Sequence, residues 1–296
     1  MTQVNGVPLV TLNNGVTMPQ LGLGVFQVPP EETTRVVSDA LAAGYRHVDT
    51  AARYDNEAAV GVAVAAATAP DEVFVATKLA NPDQGYDATL AAFDASASQL
   101  GRDVVDLYLI HWPCPKRGEA VNSWRAMTEL AAAARIRAIG VSNFLPHHLQ
   151  QLLDASDVVP AVNQVELHPY LQQRELRAFH AEHGIVTEAW SPLAQGAVLD
   201  DPVITAIAQR LDRTPAQVVL RWHLQLGTVV IPKSVQPARM AQNIDVFDFE
   251  LTAADMAAIE GLDRDGRTGF HPDSFNGFPE DFATATPASW TLPDQK

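Results

Sequence analysis

The chain has 296 residues, of which 47% are hydrophobic, and its formal net charge is −15 at pH 7. This length allows one large α/β barrel or two smaller domains, and the acidic balance disfavours a nucleic-acid partner, because duplex binding rests on phosphate neutralisation by Lys and Arg. The single cysteine, Cys114, excludes an intrachain disulfide and a zinc site built on several cysteines, which fits a reducing cytosol.

The chain opens with a predicted hairpin and a first strand–helix pair. Leu9–Leu12 and Gly15–Met18 flank two asparagines, which is a hairpin signal. A short strand is predicted over Leu21–Gln27. The next helix begins at Pro29 with acidic residues in its first turn, and Gly44 ends it.

From there strands and helices alternate. Strands are predicted over Arg46–Asp49, Val73–Lys78, Val105–Ile110, Ile136–Val141, Ala161–Glu166, Ile185–Trp190 and Thr228–Ile231. Helices are predicted over Asn56–Thr68, Ala88–Leu100, Ala120–Ala134, Pro146–Leu153, Gln172–His183, Pro202–Leu211, Thr214–Leu226, Pro237–Asn243 and Thr252–Leu262. Eight near-even units without a break in composition favour a closed (β/α)₈ TIM barrel over an open doubly wound sheet.

The hairpin would plug the N-terminal end of this barrel. Residues 264–296 lack periodicity and predict an extended C-terminal tail over the active-site face, so we expect residues 1–296 to form one domain. The N-terminus lacks a basic segment followed by an apolar run, and no stretch reaches about 18 uninterrupted apolar residues. We therefore expect a soluble, cytoplasmic protein without a signal peptide or a membrane partner.

Chemistry in such barrels lies at the C-terminal ends of the strands, and these ends are polar or aromatic here. Asp49, Lys78 and His111 each end an apolar run, and Tyr54 follows Asp49 by five residues. The other units end in Ser142, Asn143, Gln164, Trp190 and Lys233. If the strands are parallel neighbours, all of these side chains lie on one rim.

The first four residues together predict a site that reduces a carbonyl group. A carbonyl that accepts a hydride becomes an alkoxide, which needs a proton. Tyr54 can donate it, with its pKa lowered by Lys78, and Asp49 would hold Lys78. His111, as a neutral imidazole, would orient the substrate oxygen. Each residue alone has a structural explanation, as a turn, rim, surface or core residue, but all four on one rim favour catalysis.

At this point the chain resembles the aldo-keto reductases, over nearly its whole length from the hairpin to about Phe275. The matching segments are residues 44–51 with Tyr54, Asn56 and Glu57, then residues 77–79, 109–113, 139–144, 163–169 and 231–234. Within the family the chain looks most like bacterial 2,5-diketo-D-gluconate reductases. The resemblance implies a monomeric TIM barrel that reduces aldehydes and ketones with NADPH, with Tyr54 as general acid, Lys78 and Asp49 as its tuning pair and His111 as the orienting group.

The resemblance also implies a cofactor site. Ser142, Asn143 and Gln164 would hold the nicotinamide carboxamide, with Trp190 stacked on the ring and Val25 nearby. Ser191, Leu193, Gln195 and Gly196 would lie along the pyrophosphate, and Lys233, Ser234, Val235, Arg239, Gln242 and Asn243 would bind the adenosine end. The donors Lys233, Ser234 and Arg239 suit a 2′-phosphate, although a solvated helix start would look the same. Gly22-Leu23-Gly24 lacks the third glycine of a Rossmann fingerprint, so the barrel loops would have to bind the dinucleotide.

The substrate pocket is expected to be lined by Phe26, Ala80, Trp112 and part of residues 270–285. Ala80 stands where relatives often carry Trp, which would widen the pocket. Asp55 replaces a frequent glycine, and its carboxylate would raise the pKa of Tyr54 if it pointed inward. Gln242 stands where an acidic residue is frequent. Small aldehydes, α-dicarbonyls and keto sugars are the expected substrates.

Two other functions stay open from the sequence. One is a nucleotide-binding redox sensor that acts on a protein partner, and the other is a metal-dependent barrel hydrolase. His180 and His183 are three residues apart on a predicted helix, and we interpret them as solvated. No set of histidines and carboxylates around them predicts a metal site, so no metal is expected.

Overall fold

The computed structural model describes residues 3–278 and residue 281. Its first three strands form a small antiparallel sheet. They are β1 (Gln3–Val4), β2 (Val7–Thr11) and β3 (Thr17–Pro19). Leu12 and Met18, beside the turn of this hairpin, are buried against Phe74 and Leu107 of the barrel. The hairpin therefore closes one end of the barrel with apolar side chains, as predicted.

Eight parallel strands follow, and each pairs with its neighbour in chain order. They are β4 (Leu23–Gly24), β5 (His47–Asp49), β6 (Phe74–Leu79), β7 (Val105–Ile110), β8 (Ile136–Ser142), β9 (Val162–Glu166), β10 (Val186–Trp190) and β11 (Val229–Val230). Leu21, just before β4, forms a parallel bridge with Val230 of β11. This bridge joins the first and last strands, and the predicted (β/α)₈ barrel is confirmed.

Ten helices pack around the barrel within the described residues. They are α1 (Pro30–Ala42), α2 (Glu57–Ala65), α3 (Tyr86–Leu100), α4 (Ala120–Ala132), α5 (Pro146–Ala155), α6 (Arg174–His183), α7 (Pro202–Leu211), α8 (Pro215–Gln225), α9 (Pro237–Ile244) and α10 (Ala253–Glu260). Local sequence sets several of their ends. The Thr214 side chain accepts from the Gln217 N–H in a capping box at the start of α8, and Thr252 caps α10 in the same way. None of the helices in the described part combines the length and the apolar character that a membrane crossing needs.

Some predicted boundaries were wrong by a few residues, for reasons of backbone geometry. The first strand was predicted over Leu21–Gln27, but only Leu23–Gly24 is strand, and Gln27 has a φ of 58° that turns the chain. Helix α6 begins at Arg174 rather than at Gln172, because Gln173 has a φ of 45°. Left-handed residues of this kind are uncommon outside glycine, so a hydrophobic pattern does not reveal them.

His180 is buried rather than solvated, so that interpretation was wrong. Its Nε2 lies 2.9 Å from Asn163 Nδ2, and its Nδ1 lies 2.8 Å from Thr187 Oγ1. Burial lowers the pKa of His180 to about 3, so the imidazole is neutral and links α6 to two barrel strands. His183 is half-buried and stacks on Phe179, with ring centroids 4.1 Å apart.

The described part of the C-terminal tail crosses the rim of the barrel. Phe270 and Phe275 stack on each other with centroids 4.3 Å apart, and both pack on Trp112, which follows β7. The tail therefore lies over the active-site face, as predicted. Residues 279–280 and 282–296, which were also assigned to this tail, lie outside the described residues.

Candidate active site

The four residues predicted to act on the substrate lie together at the C-terminal ends of β5, β6 and β7. Lys78 Nζ is 2.6 Å from Asp49 Oδ1 and 3.5 Å from Tyr54 Oη. The Tyr54 and His111 rings are 5.7 Å apart and meet edge to face. Because the three strands are parallel neighbours, their ends reach one edge, and the short 3₁₀ turn Ala52–Tyr54 brings the phenol back over Lys78.

Lys78 is the centre of this group. It is fully buried, and its ammonium also donates to the Thr50 carbonyl oxygen at 2.8 Å. Burial alone would lower its pKa, but the adjacent Asp49 carboxylate outweighs burial and raises the pKa of Lys78 above the usual range. The ammonium is therefore charged at neutral pH, and its three hydrogens point at Asp49, Thr50 and Tyr54.

Tyr54 departs from one expectation. Burial raises the pKa of Tyr54, and the opposing effect of Lys78 does not cancel it. The net lowering expected from the sequence is therefore wrong. The Lys78–Tyr54 contact is the longest of the three made by Lys78, which limits how far the ammonium lowers the pKa of the phenol. Tyr54 consequently keeps its hydrogen at neutral pH.

His111 is neutral at neutral pH. Burial lowers the pKa of His111 well below its usual range, and the positive charges of Lys78 and Arg53 act in the same direction. Its ring and that of Tyr54 are both partly exposed, whereas Asp49 and Lys78 are buried. A small molecule that reaches this rim would therefore meet two neutral hydrogen-bonding groups, with the charged pair behind them.

A second layer of polar side chains lies inside the barrel, and two of its members, His47 and Glu188, were missed from the sequence. Gln164 Nε2 donates to Asp49 Oδ2 at 2.8 Å and to Glu188 Oε2 at 2.9 Å. His47 Nε2 lies 3.5 Å from Glu188 Oε1. Burial, with the nearby Asp49 carboxylate, raises the pKa of Glu188 to about 8, so it is mostly protonated at pH 7. Strand alternation offered a signal, because His47 is two residues before Asp49 and Glu188 two before Trp190.

The residues expected to hold a nicotinamide form a connected set at the ends of β8, β9 and β10. Asn143 Nδ2 donates to Ser142 Oγ at 3.0 Å, and Ser142 Oγ donates to the Gln164 carbonyl oxygen at 2.8 Å. Trp190 Nε1 donates to Asn143 Oδ1 at 2.9 Å, and the indole is partly exposed. The structure thus places an aromatic face and fixed amide groups beside the Tyr54 rim.

The residues expected along a pyrophosphate lie in the loop after β10. Gln195 and Gly196 belong to a 3₁₀ turn in which Gln195 has a φ of 56°. Ser191 also has a positive φ, 51°, and Leu193 is partly buried against the core. Gln195 Nε2 donates to Thr268 Oγ1 at 3.4 Å, so this loop contacts the C-terminal tail.

The residues expected at the adenosine end follow β11 and continue into α9. Lys233 Nζ donates to the Gln27 carbonyl oxygen at 3.3 Å, across the join of the barrel. Val25, Ser234 and Asn243 are buried, Val235 is half-buried, and Arg239 and Gln242 are exposed. An ammonium and a guanidinium on one short segment of a chain with net charge −15 are chemically suited to a phosphate group. The side chains present therefore fit a phosphorylated dinucleotide.

Aromatic side chains border the Tyr54 rim. Phe26 lies 5.0 Å from the Tyr54 ring, and Trp112 lies 4.6 Å from Phe275. Ala80, directly after β6, is buried. Asp55 is exposed, with a left-handed φ of 56°. The pKa of Tyr54 is shifted by burial, Lys78 and Asp49, and Asp55 is not among the causes.

One group of metal-ligand residue types occurs in the described residues, away from Tyr54. The Nε2 atoms of His147 and His148 lie 2.9 and 3.2 Å from Asp273 Oδ1. His148 Nδ1 accepts from the Leu145 N–H, so the hydrogen of the neutral ring is on Nε2 and points at Asp273. That tautomer makes His148 a hydrogen-bond donor to the carboxylate rather than a metal ligand.

Comparisons with known proteins agree with this geometry. The model of the Aldo/keto reductase family matches residues 18–264. An aldo-keto reductase of Mycolicibacterium smegmatis is 57% identical over 270 residues, which cover 91% of this chain and 98% of the relative. Morphine 6-dehydrogenase of Pseudomonas putida is 51% identical over 280 residues, covering 90% and 94%.

Solved structures give the same result. A mutant of Gox0644 in complex with NADPH superposes with a TM-score of 0.89 at 53% identity, covering 91% of this chain and 98% of that one. A Bombyx mori aldo-keto reductase in complex with NADP gives a TM-score of 0.82 at 35% identity, covering 88% and 94%.

Proposed function

Because the chain belongs to the aldo/keto reductase family, we propose that it reduces the carbonyl group of small aldehydes, α-dicarbonyls or keto sugars, with Tyr54 as the general acid. The observation that carries this proposal is the position of Lys78, whose buried ammonium contacts both Asp49 and the protonated hydroxyl of Tyr54. That arrangement suits the delivery of one proton to an oxygen that is becoming an alkoxide.

NADPH, when bound, would supply the hydride. Tyr54 would then donate its Oη hydrogen to the substrate oxygen, and the Lys78 ammonium would stabilise the phenolate left behind. Asp49 would keep Lys78 charged and pointed at Tyr54 through the 2.6 Å contact. The neutral imidazole of His111 would hydrogen-bond the carbonyl oxygen and fix its approach to the phenol.

The cofactor is proposed to lie across the loops after β8, β9, β10 and β11. The Asn143 amide and the Ser142 hydroxyl, which is fixed on the Gln164 backbone carbonyl, would hold the nicotinamide together with the Gln164 side chain, and Trp190 would cover its ring. Similar proteins solved with NADPH or NADP support this placement. The exposed Arg239 guanidinium would select the 2′-phosphate.

The Tyr54→Phe variant tests the role of Tyr54 as the general acid beside Lys78 and Asp49. We expect turnover of methylglyoxal or benzaldehyde to fall by about 10²–10⁴-fold, while NADPH binding, followed by fluorescence titration, stays unchanged. Tyr108→Phe is the matched control, because Tyr108 is a buried tyrosine of β7 that packs on Phe93 at 5.3 Å, away from the rim. Substantial residual activity in Tyr54→Phe would defeat the acid assignment.

The 2′-phosphate assignment has its own test. Arg239→Ala should weaken NADPH by roughly 10–100-fold, as expected for a lost charge-assisted hydrogen bond, and should leave NADH nearly unaffected. Both affinities are measured on the same preparation. Equal losses of affinity for the two cofactors would contradict the role of Arg239. Carbonyl reduction by the same preparation tests the proposed reaction separately.

A further inference from the structure

Glu166, at the end of β9, is buried and bound by groups from the C-terminal tail. Its Oε1 accepts from the Thr268 N–H at 2.6 Å and from the Thr268 hydroxyl at 2.7 Å, and its Oε2 accepts from the Gly269 N–H at 2.9 Å. His168 Nε2 lies 3.0 Å from Oε1, and Arg267 Nη1 lies 3.8 Å from Oε2. A fully desolvated carboxylate with this many donors is strongly held.

The charge state of Glu166 agrees with that arrangement. Burial alone would raise the pKa of Glu166, but the hydrogen bonds from His168, Thr268 and Gly269 outweigh it and lower the pKa. The carboxylate is therefore ionised at neutral pH. Its partners in the tail lie about a hundred residues further along the chain, so the contact fixes the tail on the barrel rather than stabilising a local turn.

We call residues 267–276 the strap, because both of its ends are fixed to the barrel. One end is held by Glu166. At the other end the Lys116 N–H donates to Asn276 Oδ1 at 2.7 Å, and Arg117 Nε donates to the Asn276 carbonyl oxygen at 2.9 Å. Lys116 and Arg117 follow β7, so the strap reaches from the end of β9 to the loop after β7.

Between its ends the strap carries the aromatic side chains next to the proposed site. Phe270 and Phe275 pack on Trp112, which directly follows His111. Trp190 packs on the same cluster. Gly269 touches Trp190 so closely that a Cβ built there would lie 2.5 Å from the indole Cη2 and 3.1 Å from Glu166 Oε2. The position of the strap is therefore defined by Glu166 below it and by Trp190 beside it.

We propose that Glu166 is a positioning residue for substrate recognition, because it fixes the strap so that Phe270, Phe275 and Trp112 form a rigid aromatic wall beside His111. This inference rests on the proposed carbonyl reduction. Such a wall favours carbonyl compounds with an aromatic or bulky apolar substituent, because these gain buried area against it. Small dicarbonyls such as methylglyoxal do not extend to the wall and would be insensitive to its position.

The experiment compares two substrates in two variants that displace the strap by different means. Glu166→Gln replaces one acceptor oxygen by an NH₂ group, which in either orientation faces a backbone N–H of Thr268 or Gly269. Thr268→Val keeps the carboxylate but removes the hydroxyl that donates to its Oε1. In both we expect KM for benzaldehyde to rise by about tenfold to a hundredfold, as a misplaced binding group produces. KM and kcat for methylglyoxal should stay within about twofold, since its proposed contacts are unchanged.

Asp106→Asn is the matched control. Asp106 is another buried carboxylate that accepts a backbone N–H, from Val75 at 2.9 Å, and pairs with Arg137 at 2.7 Å, but it lies near the start of β7 at the opposite end of the barrel. Its variant should lose thermal stability without changing the ratio of the two KM values. An independent readout is hydrogen exchange of the strap amides, which should quicken in Glu166→Gln and not in Asp106→Asn.

The outcomes separate this inference from the proposed function. Equal losses for both substrates, or no change in either KM, would overturn the role of Glu166 in recognition. If Glu166→Gln does not fold, Thr268→Val decides the question on the same criteria. If the wild-type protein reduces neither carbonyl with NADPH, the proposed function fails. If hydrogen exchange of the strap amides is unchanged in Glu166→Gln, Glu166 does not hold the strap.

Discussion

The two ends of the barrel are built from opposite kinds of side chain. At the N-terminal end Leu12 and Met18 of the hairpin fill the opening against Phe74 and Leu107, all of them apolar and buried. At the C-terminal end the equivalent interior space holds charged and polar groups around Lys78. The comparison shows that one end of the same sheet is used for stability and the other for chemistry.

Burial has opposite effects on the free energy of folding at the two ends of the barrel. Each buried methylene group at the plug contributes about 0.8 kcal/mol to folding. Each buried charge at the other end costs several kcal/mol, which its partners offset only while the pair is complete. We therefore expect substitutions at the plug to change stability alone, and substitutions around Lys78 to change both stability and turnover.

The largest effect is expected for Lys78→Met. Turnover should fall by about 10²–10⁴-fold, because Tyr54 loses the ammonium that stabilises its phenolate. The free energy of unfolding should fall by about 3–5 kcal/mol, because Asp49 is left buried without its partner. Urea denaturation and carbonyl-dependent oxidation of NADPH measure the two quantities.

The double variant Asp49→Asn/Lys78→Met separates them. Its unfolding free energy should recover most of the loss, because no charge remains unpaired, while turnover should stay as low as in the single variant. A double variant as unstable as Lys78→Met would mean that the pair contributes through packing rather than charge, and the contrast between the ends would be weaker than stated.

The plug gives the opposite pattern in Met18→Ala. The free energy of unfolding should fall by about 2–5 kcal/mol, since the side chain is fully buried and a cavity would remain. The kcat/KM of the folded protein should be unchanged, because Met18 packs in the apolar cluster at the opposite end of the barrel from Tyr54. A parallel loss of kcat/KM at a temperature where the variant is fully folded would show that the two ends are coupled through the barrel.

The sequence was sufficient for the barrel and for the residues that end its strands. Alternating strands and helices predicted the eight units, and the ends of neighbouring parallel strands necessarily meet, which brought Asp49, Lys78 and His111 together. The Thr214–Gln217 capping box at the start of α8 can also be read from the sequence, because it joins residues only three positions apart.

What the sequence could not provide depends on distant partners and on competing effects. Glu188 lies in the middle of β10, and only the barrel register shows that it meets Gln164, which also binds Asp49. Glu166 is matched with a tail segment about a hundred residues away. The raised pKa of Tyr54 is the balance of burial against Lys78, and composition does not reveal which of the two is larger.

Glu188 provides a pH test of the polar end. Its folded pKa is about 8, against an ordinary value of 4.5. Below pH 4.5 the carboxyl is protonated in both the folded and the unfolded state, so it has no effect on stability. Between pH 4.5 and 8 only the unfolded chain releases the proton, so stability is lost as pH rises. The loss is complete above about pH 8. The cause is burial beside Asp49, with Gln164, Lys78 and His47 as the other facing groups.

Glu188→Gln should remove this dependence. The variant should match the wild type in thermal stability near pH 4.5 and exceed it by up to a few kcal/mol at pH 8, because an amide cannot ionise. Melting temperatures at the two pH values provide the measurement. If the variant lost stability equally at both, the carboxyl would be needed for its hydrogen bonds and would not be a source of strain at neutral pH.

The smallest effect is expected for Asp55→Gly, at the edge of the polar end. Asp55 is exposed with a φ of 56°, a conformation that glycine adopts without steric cost. Stability should change by less than about 1 kcal/mol, because relief of the left-handed backbone is partly offset by the greater freedom of unfolded glycine. The pH profile of kcat should hardly move, since a solvated charge is screened.

Asp55→Asn, which removes the charge but tolerates the same φ, is the control. A shift of the alkaline limb by about one pH unit in both variants would show that the Asp55 carboxylate acts on Tyr54 after all, and that the charged end extends to the surface.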